Sequence, residues 1–178
     1  MITYDVSKDP KYWNGCVIFS TITAWSNLHT TTLSYDQIDE VYVAIGRWRW
    51  DGGIQAIDTP KIIKHLDKSY WTKTWIWLPY DDDWTTQKVE RNLRKWHWGI
   101  LWIRINKEFH QDCNDWVMNS SERTNHKTTV WHCLSMYDNW NRYLVDIFSK
   151  RKVNQYMIPK NLWKDIRKCT NSFFTISK

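Results

Sequence analysis

The sequence predicts an α+β fold, helical over about residues 1–98 and built on antiparallel strands over about 99–178, as one domain spanning 1–178. Three observations predict it. Apolar residues recur at helical spacing after Cys16 and again after Ser34. Alternating apolar runs, one pair of them joined by a tight turn, dominate after Gly99. The 178 residues are 42% apolar, with 15 Trp, enough for one well-filled core and too apolar for disorder away from the ends.

Residues 1–15 are polar and turn-rich, with Pro10 and Asn14-Gly15. Val17, Ile18, Ile22, Trp25 and Leu28 then fit a buried helix over 16–28. Ser34-Tyr35-Asp36-Gln37 is a capping box, Leu33 and Ile38 are placed for a hydrophobic staple, and Gly46 stands where a second helix should stop. A Trp- and Arg-rich loop over 47–57 leads to Asp58-Thr59-Pro60, a helix start with Pro in its first turn, and Ile62, Ile63 and Leu66 give a short third helix. Trp71 to Leu78 reads as a strand, Asp81-Asp82-Asp83 as a solvated turn, and Thr85 or Thr86 as the cap of a fourth helix bearing Val89, Leu93 and Trp96. Trp98-Gly99 marks the boundary between the halves.

Beyond it, Ile100 to Ile105 alternates as a strand, and 107–127 is a polar excursion. Thr128–Tyr137 and Arg142–Ser149 form a hairpin about Asp138–Asn141. Val153–Met157 is a further strand, Pro159 opens a short helix through Trp163 and Ile166, and Ser172–Ile176 closes as a strand. No internal repeat occurs.

The net charge of +6 is mild, and Lys and Arg are scattered with no run of five, which describes a solvated surface rather than a nucleic-acid footprint. No apolar run approaches the ~18 residues of a membrane span. Met1 to Asp5 shows no basic-then-apolar leader, which favours a cytoplasmic or virion-associated setting. The four cysteines, Cys16, Cys113, Cys133 and Cys169, form no C-x-x-C pair and read as free thiols of a reducing compartment, with room for one disulfide.

Candidate chemistry centres on Cys16. A thiol that opens a helix sits at the positive end of the helix dipole, which favours thiolate. A cysteine nucleophile also needs a base and a group to orient that base. His132 falls in one predicted hairpin strand, on the alternation of Val130, Leu134 and Met136, and Asp146 falls in the other. With the turn centred near residue 139, the two stand opposite one another, where Cβ atoms are about 4.5–5.5 Å apart.

Asn14-Gly15-Cys16 leading into a helix, then His132 on a strand, then Tyr143-Leu144-Val145-Asp146, resembles the papain-like cysteine peptidases, most closely their compact C39-like, bacteriocin-processing branch. Gly99 to Ile105 matches that family's strand before the histidine strand, and Tyr137-Asp138 its Tyr-Asp after it. The resemblance covers about residues 9–150. It implies a helical lobe packed on an antiparallel sheet or half-barrel, and a Cys16–His132–Asp146 triad that hydrolyses a peptide or related acyl bond through an acyl-enzyme, with a peptide or protein as partner and no cofactor or metal. Two positions depart, one being the family's Trp after its Asn, where Asp146-Ile147-Phe148-Ser149 stands here. Pro10 stands where the family carries the Gln of its oxyanion hole, which leaves the Asn14 side chain and the Cys16 backbone N–H as donors. The same departure supports an alternative of another class: a catalytically silent papain-like module with a structural or binding role in a larger assembly, such as a phage particle.

Other clusters read as structural. Cys133 adjoins His132 on the opposite alternation and reads as a core thiol. His110, Cys113, His126 and Cys133 have no zinc-finger spacing. His97, between two Trp, reads as packing. Trp48-Arg49-Trp50 fits a groove lining, a base-stacking surface or lobe packing.

Overall fold

The computed structural model describes residues 1–4, 12, 15–47, 54–77, 93–95, 98–105, 130–139, 141–145, 155–158 and 170–178, and only the backbone of 103–105, 130–132, 138–139, 141–145, 155–158 and 170–173. Within them the chain is α+β. Three α-helices, α1 (Cys16–His29), α2 (Tyr35–Ala44) and α3 (Thr59–Tyr70), precede the six described strands: β1 (Trp75–Trp77), β2 (Trp98–Ile105), β3 (Val130–Asn139), β4 (Asn141–Val145), β5 (Gln155–Ile158) and β6 (Thr170–Ser177). One antiparallel sheet holds all six strands in the order β1-β6-β2-β3-β4-β5.

Helix α1 is the centre of the fold. Every residue from Val17 to Ser26 is buried, because α1 packs against β3, β2 and β6 on one side and against α3 on another. A helix enclosed this way carries apolar residues all round rather than on one stripe. Its buried hydroxyls include Ser20 Oγ, which donates to the Cys133 carbonyl at 2.8 Å, and Ser26 Oγ, 3.0 Å from the Tyr4 hydroxyl. Residues 1–4 run along its far end, where Asn27 bonds both the N–H and the C=O of Ile2.

Helix α2 starts and stops as its sequence indicates. Ser34 Oγ accepts from Gln37 N–H at 3.2 Å and Gln37 Oε1 accepts from Ser34 N–H at 2.8 Å. Leu33 and Ile38 are both buried. At the end, Arg47 N–H reaches Tyr42 C=O and Gly46 N–H reaches Val43 C=O, with Gly46 at φ 69°, a Schellman motif. Before α3, a single 3₁₀ turn (Ala56–Asp58) buries Asp58, whose carboxylate accepts from Gln55 N–H and pairs with Arg47 and Lys61 at 3.4 and 3.1 Å.

Trp71 differs from its expected place in a strand. Helix α3 continues to Tyr70, and Trp71 ends it in the left-handed conformation, φ 55°, so β1 begins only at Trp75. Asp67 near the end of α3 then gathers three elements. It accepts from Trp25 Nε1 of α1 at 2.9 Å, from the Thr72 hydroxyl at 2.8 Å, and from both the N–H and hydroxyl of Thr74 at 2.7 Å. His29 Nε2 lies 2.8 Å from the Thr74 hydroxyl and 4.0 Å from Asp67.

Trp98-Gly99 is not a turn between halves. Both residues lie in β2, and β1 joins the same sheet from the helical side of that boundary by pairing with β6. The ordinary pleat then gives the sheet two apolar faces. Ile100, Cys133, Phe174 and Ile176 share the α1 face with Ile76, Trp98 and Trp102, while Leu101, Leu134, Met136 and Thr175 alternate with them and are buried as well. The β3–β4 hairpin turns more tightly than expected. Asn139 pairs with Asn141, and Ser135 with Val145, so the hairpin is centred on residue 140 rather than 139. Of the expected fourth helix, Leu93 and Arg94 are described and are helical; the rest of it, like the short helix after Pro159, lies outside the described residues.

A candidate thiol site at the start of α1

Gly15 is what brings the Cys16 end of α1 into the core. Its N–H donates to Tyr12 C=O at 2.7 Å, and its C=O accepts from Phe19 N–H. A Cβ on Gly15 would run into the Tyr42 hydroxyl and stand 2.9 Å from Tyr12 O, so only hydrogen fits there. The surrounding wall is aromatic, with Tyr12 5.1 Å from Phe19, 5.7 Å from Tyr35 and 6.0 Å from Tyr42 between ring centroids. Tyr12 is almost wholly buried, and its hydroxyl donates to Asp39 at 2.8 Å. Four aromatic rings and one missing side chain therefore surround the start of the helix.

Cys16 is the first residue of α1. It carries a free thiol, is half-buried, and no acidic side chain in the first turn offsets the positive end of the helix. Its N–H, like those of the next two residues, has no carbonyl within the helix to donate to, the first such bond being Phe19 N–H to Gly15 C=O. Ser20 lies one turn further along the same helix face and bonds to β3 at Cys133. Cys133 is 1% exposed and also carries a free thiol. Burial pushes its thiol well above the ordinary range, the nearby Cys16 adds to the rise, and the Ser20 hydroxyl opposes it. Among the described β3 side chains, Cys133 shares the α1 face of the sheet and the apolar cluster against which Cys16 packs, whereas the sequence marked it only as a core thiol.

Of the other expected site residues, His132 occupies a β3 position paired with Ile103, with only its backbone described. By the pleat, position 132 belongs to the alternation of Leu134 and Met136, not to that of Cys133. Asp146 and Asn14 lie outside the described residues, as does Pro10. The described pairing of β3 with β4 ends at Ser135 and Val145, so the expected opposition of positions 132 and 146 lies outside the described residues. Among the described residues, no group of three or more His, Cys, Asp or Glu could hold a metal ion. Of the suggested zinc set, only Cys133 is described, and it is enclosed in the core. His97, the Trp48-Arg49-Trp50 loop and the three-Asp turn fall outside the described residues. No described helix is long and apolar enough to cross a membrane.

Two features carried no sequence signal that singled them out. The apposition of Cys16 and Cys133 joins residues 117 positions apart in the chain. The Trp25–His29–Asp67–Thr74 network consists of residue types common on any helix surface. Its only local hint is the i, i+4 spacing of Trp25 and His29, whose rings lie 5.0 Å apart.

Compared with known protein families, curated proteins and solved structures, the chain matches none of them.

Proposed function

We propose that this chain is a cysteine hydrolase of the papain-like type, cleaving a peptide or related acyl bond, with Cys16 as its nucleophile. The observation that carries the reading is the place of Cys16: a half-buried free thiol as the first residue of a fourteen-residue helix, with no acid in the first turn and a β-sheet behind it. In this reading Cys16 attacks the carbonyl, His132 takes the thiol proton and returns it to the leaving group, and Asp146 holds the imidazole tautomer. The Cys16 N–H and the Asn14 amide stabilise the oxyanion, and water releases the acyl-enzyme. Iodoacetamide titration across pH tests this directly. The reading predicts rapid alkylation of Cys16 below pH 7, strongly slowed in His132→Ala. Asn14→Ala should lower turnover by about 10²–10³, the usual loss for one oxyanion donor. Ordinary thiol reactivity at Cys16, unchanged in His132→Ala, would overturn it.

A second reading is a papain-like module that binds within a larger assembly, such as a phage particle, without cleaving. One observation favours it: among the described β3 side chains Cys133 shares the α1 face of the sheet, while position 132 alternates to the other face. The same titration separates the two, because a silent module has no reason to activate Cys16.

A further inference from the structure

We propose that Cys16 and Cys133 form a reversible disulfide, so that the site is a two-cysteine centre oxidised by hydroperoxides. The two thiols come from distant parts of the chain, on α1 and β3, and these two elements pack against one another. Ser20, one turn from Cys16 on the same face of α1, donates its hydroxyl to the Cys133 carbonyl at 2.8 Å, which ties that helix face to the Cys133 backbone. Cys16 packs against the apolar cluster that contains Cys133. Cys16 also contributes to the upward shift of the Cys133 thiol, after burial.

The two differ in access, and the difference assigns their roles. Cys16 is half-buried and reachable from solvent, whereas Cys133 is enclosed. An accessible cysteine at a helix start beside a second thiol has the usual arrangement of an oxidisable cysteine and its resolving partner. In the first step the Cys16 thiolate attacks one oxygen of the hydroperoxide. The S–O bond forms, the O–O bond breaks, and the departing hydroxide or alkoxide takes a proton to leave as water or alcohol. In the second, the Cys133 sulfur attacks the Cys16 sulfenic acid. The S–S bond forms, the S–O bond breaks, and the hydroxide leaves as water with the Cys133 proton. Both thiols are oxidised by one electron each, and the peroxide is reduced by two. A low-molecular-weight dithiol reverses the process by exchange. The enclosed Cys133 thiol is held protonated, so the second step is the slow one and the sulfenic acid accumulates before it.

The inference goes beyond the hydrolase reading and does not need it, since the disulfide would form on an active or a silent module alike. The test uses the full chain with all four cysteines. The reduced protein is treated with hydrogen peroxide, blocked with iodoacetamide, digested and mapped by mass spectrometry. The expected result is a peptide linking Cys16 to Cys133, lighter than the two reduced peptides by two hydrogens, with alkylation of both residues lost together and restored by dithiothreitol. In Cys133→Ser, Cys16 should stay reactive towards dimedone after peroxide treatment, whereas in the unsubstituted chain that reactivity should fade as the disulfide forms. Oxidation that leaves both residues fully alkylatable, or that links Cys16 only to Cys113 or Cys169, would overturn the inference. Acyl-transfer assays on the reduced protein address the hydrolase reading separately, so either can fail alone.

Discussion

Gly15 has no space for a side chain, and the reason lies in three residues that the local sequence does not reveal. Tyr12 and Tyr42 close over it and Phe19 comes from the next turn. Its φ of −84° is open to any residue, so the requirement is for room and not for backbone freedom. Gly15→Ala should therefore destabilise the protein by about 1–3 kcal/mol, the range for overpacking a filled site. It should also displace the Cys16 end of α1. Urea denaturation reads the first effect and the alkylation rate of Cys16 in the folded protein reads the second; an unchanged midpoint would show that the aromatic wall yields freely. The same scale shows why the partner of Cys16 was hard to read. Val130, His132, Leu134 and Met136 make one apolar alternation of β3, and Trp131, Cys133, Ser135 and Tyr137 make another that is nearly as apolar. Alternation separates His132 from Cys133 but does not say which of them faces α1 when both faces of the strand are buried.

At the scale of elements, helix ends were legible where side chains act locally. The capping box of α2 needs nothing beyond Ser34 and Gln37, and Gly46 needs only the absence of a Cβ. Ser34→Ala should cost about 1 kcal/mol, with Gln37→Ala costing less because it removes a single partner of the box. Thermal unfolding of both variants checks the order. The end of α3 was not legible, because Trp71 is a poor choice for the left-handed position it occupies. It stands at φ 55° with its side chain 95% exposed, so no packing rewards the strain. Thr72 N–H still closes the helix onto Asp67 C=O at 3.0 Å, the bond that an αL residue makes possible. Trp71→Gly should raise stability by about 1 kcal/mol by removing the Cβ conflict. A lower melting temperature in Trp71→Gly would mean that the exposed indole is held by contacts it does not show. The hairpin illustrates the remaining limit. Its two strands were legible by alternation, but the pairing depends on the turn, and one residue in the hairpin centre moves every opposite pair by two.

For the whole molecule, the Asp67 network joins α1, α3 and the start of β1. Burial alone would push the Asp67 carboxyl up, but hydrogen bonds from Trp25, Thr74 and Thr72 outweigh it and hold it below its ordinary value of 3.8. Burial pushes the His29 imidazole below 6.5, partly opposed by the Asp67 carboxylate and reinforced by Lys178. Both groups thus bind protons less readily folded than unfolded. Their contribution to stability is complete above about pH 6.5 for His29 and above 3.8 for Asp67, and it falls as the pH drops through each window. The urea midpoint should accordingly begin to decline just below pH 6.5 and steepen below 3.8. His29→Gln should flatten the first decline and leave the second, and an identical curve in that variant would remove His29 from the account.

The sequence by itself determined the α+β class, the starts of α1, α2 and α3, the stop of α2 and the alternation of the main strands. Each of these depends on side chains within a few residues of one another, through caps, turns and the 3.6- and 2-residue periods. Tertiary structure decided that β1 crosses from the helical side to pair with β6, that α1 is buried from Val17 to Ser26, and that Cys133 lies on the α1 face of the sheet. Those outcomes depend on contacts between segments tens to more than a hundred residues apart. Where both faces of a strand are apolar, local pattern is consistent with either orientation, and only the packing of α1 against the sheet chooses between them.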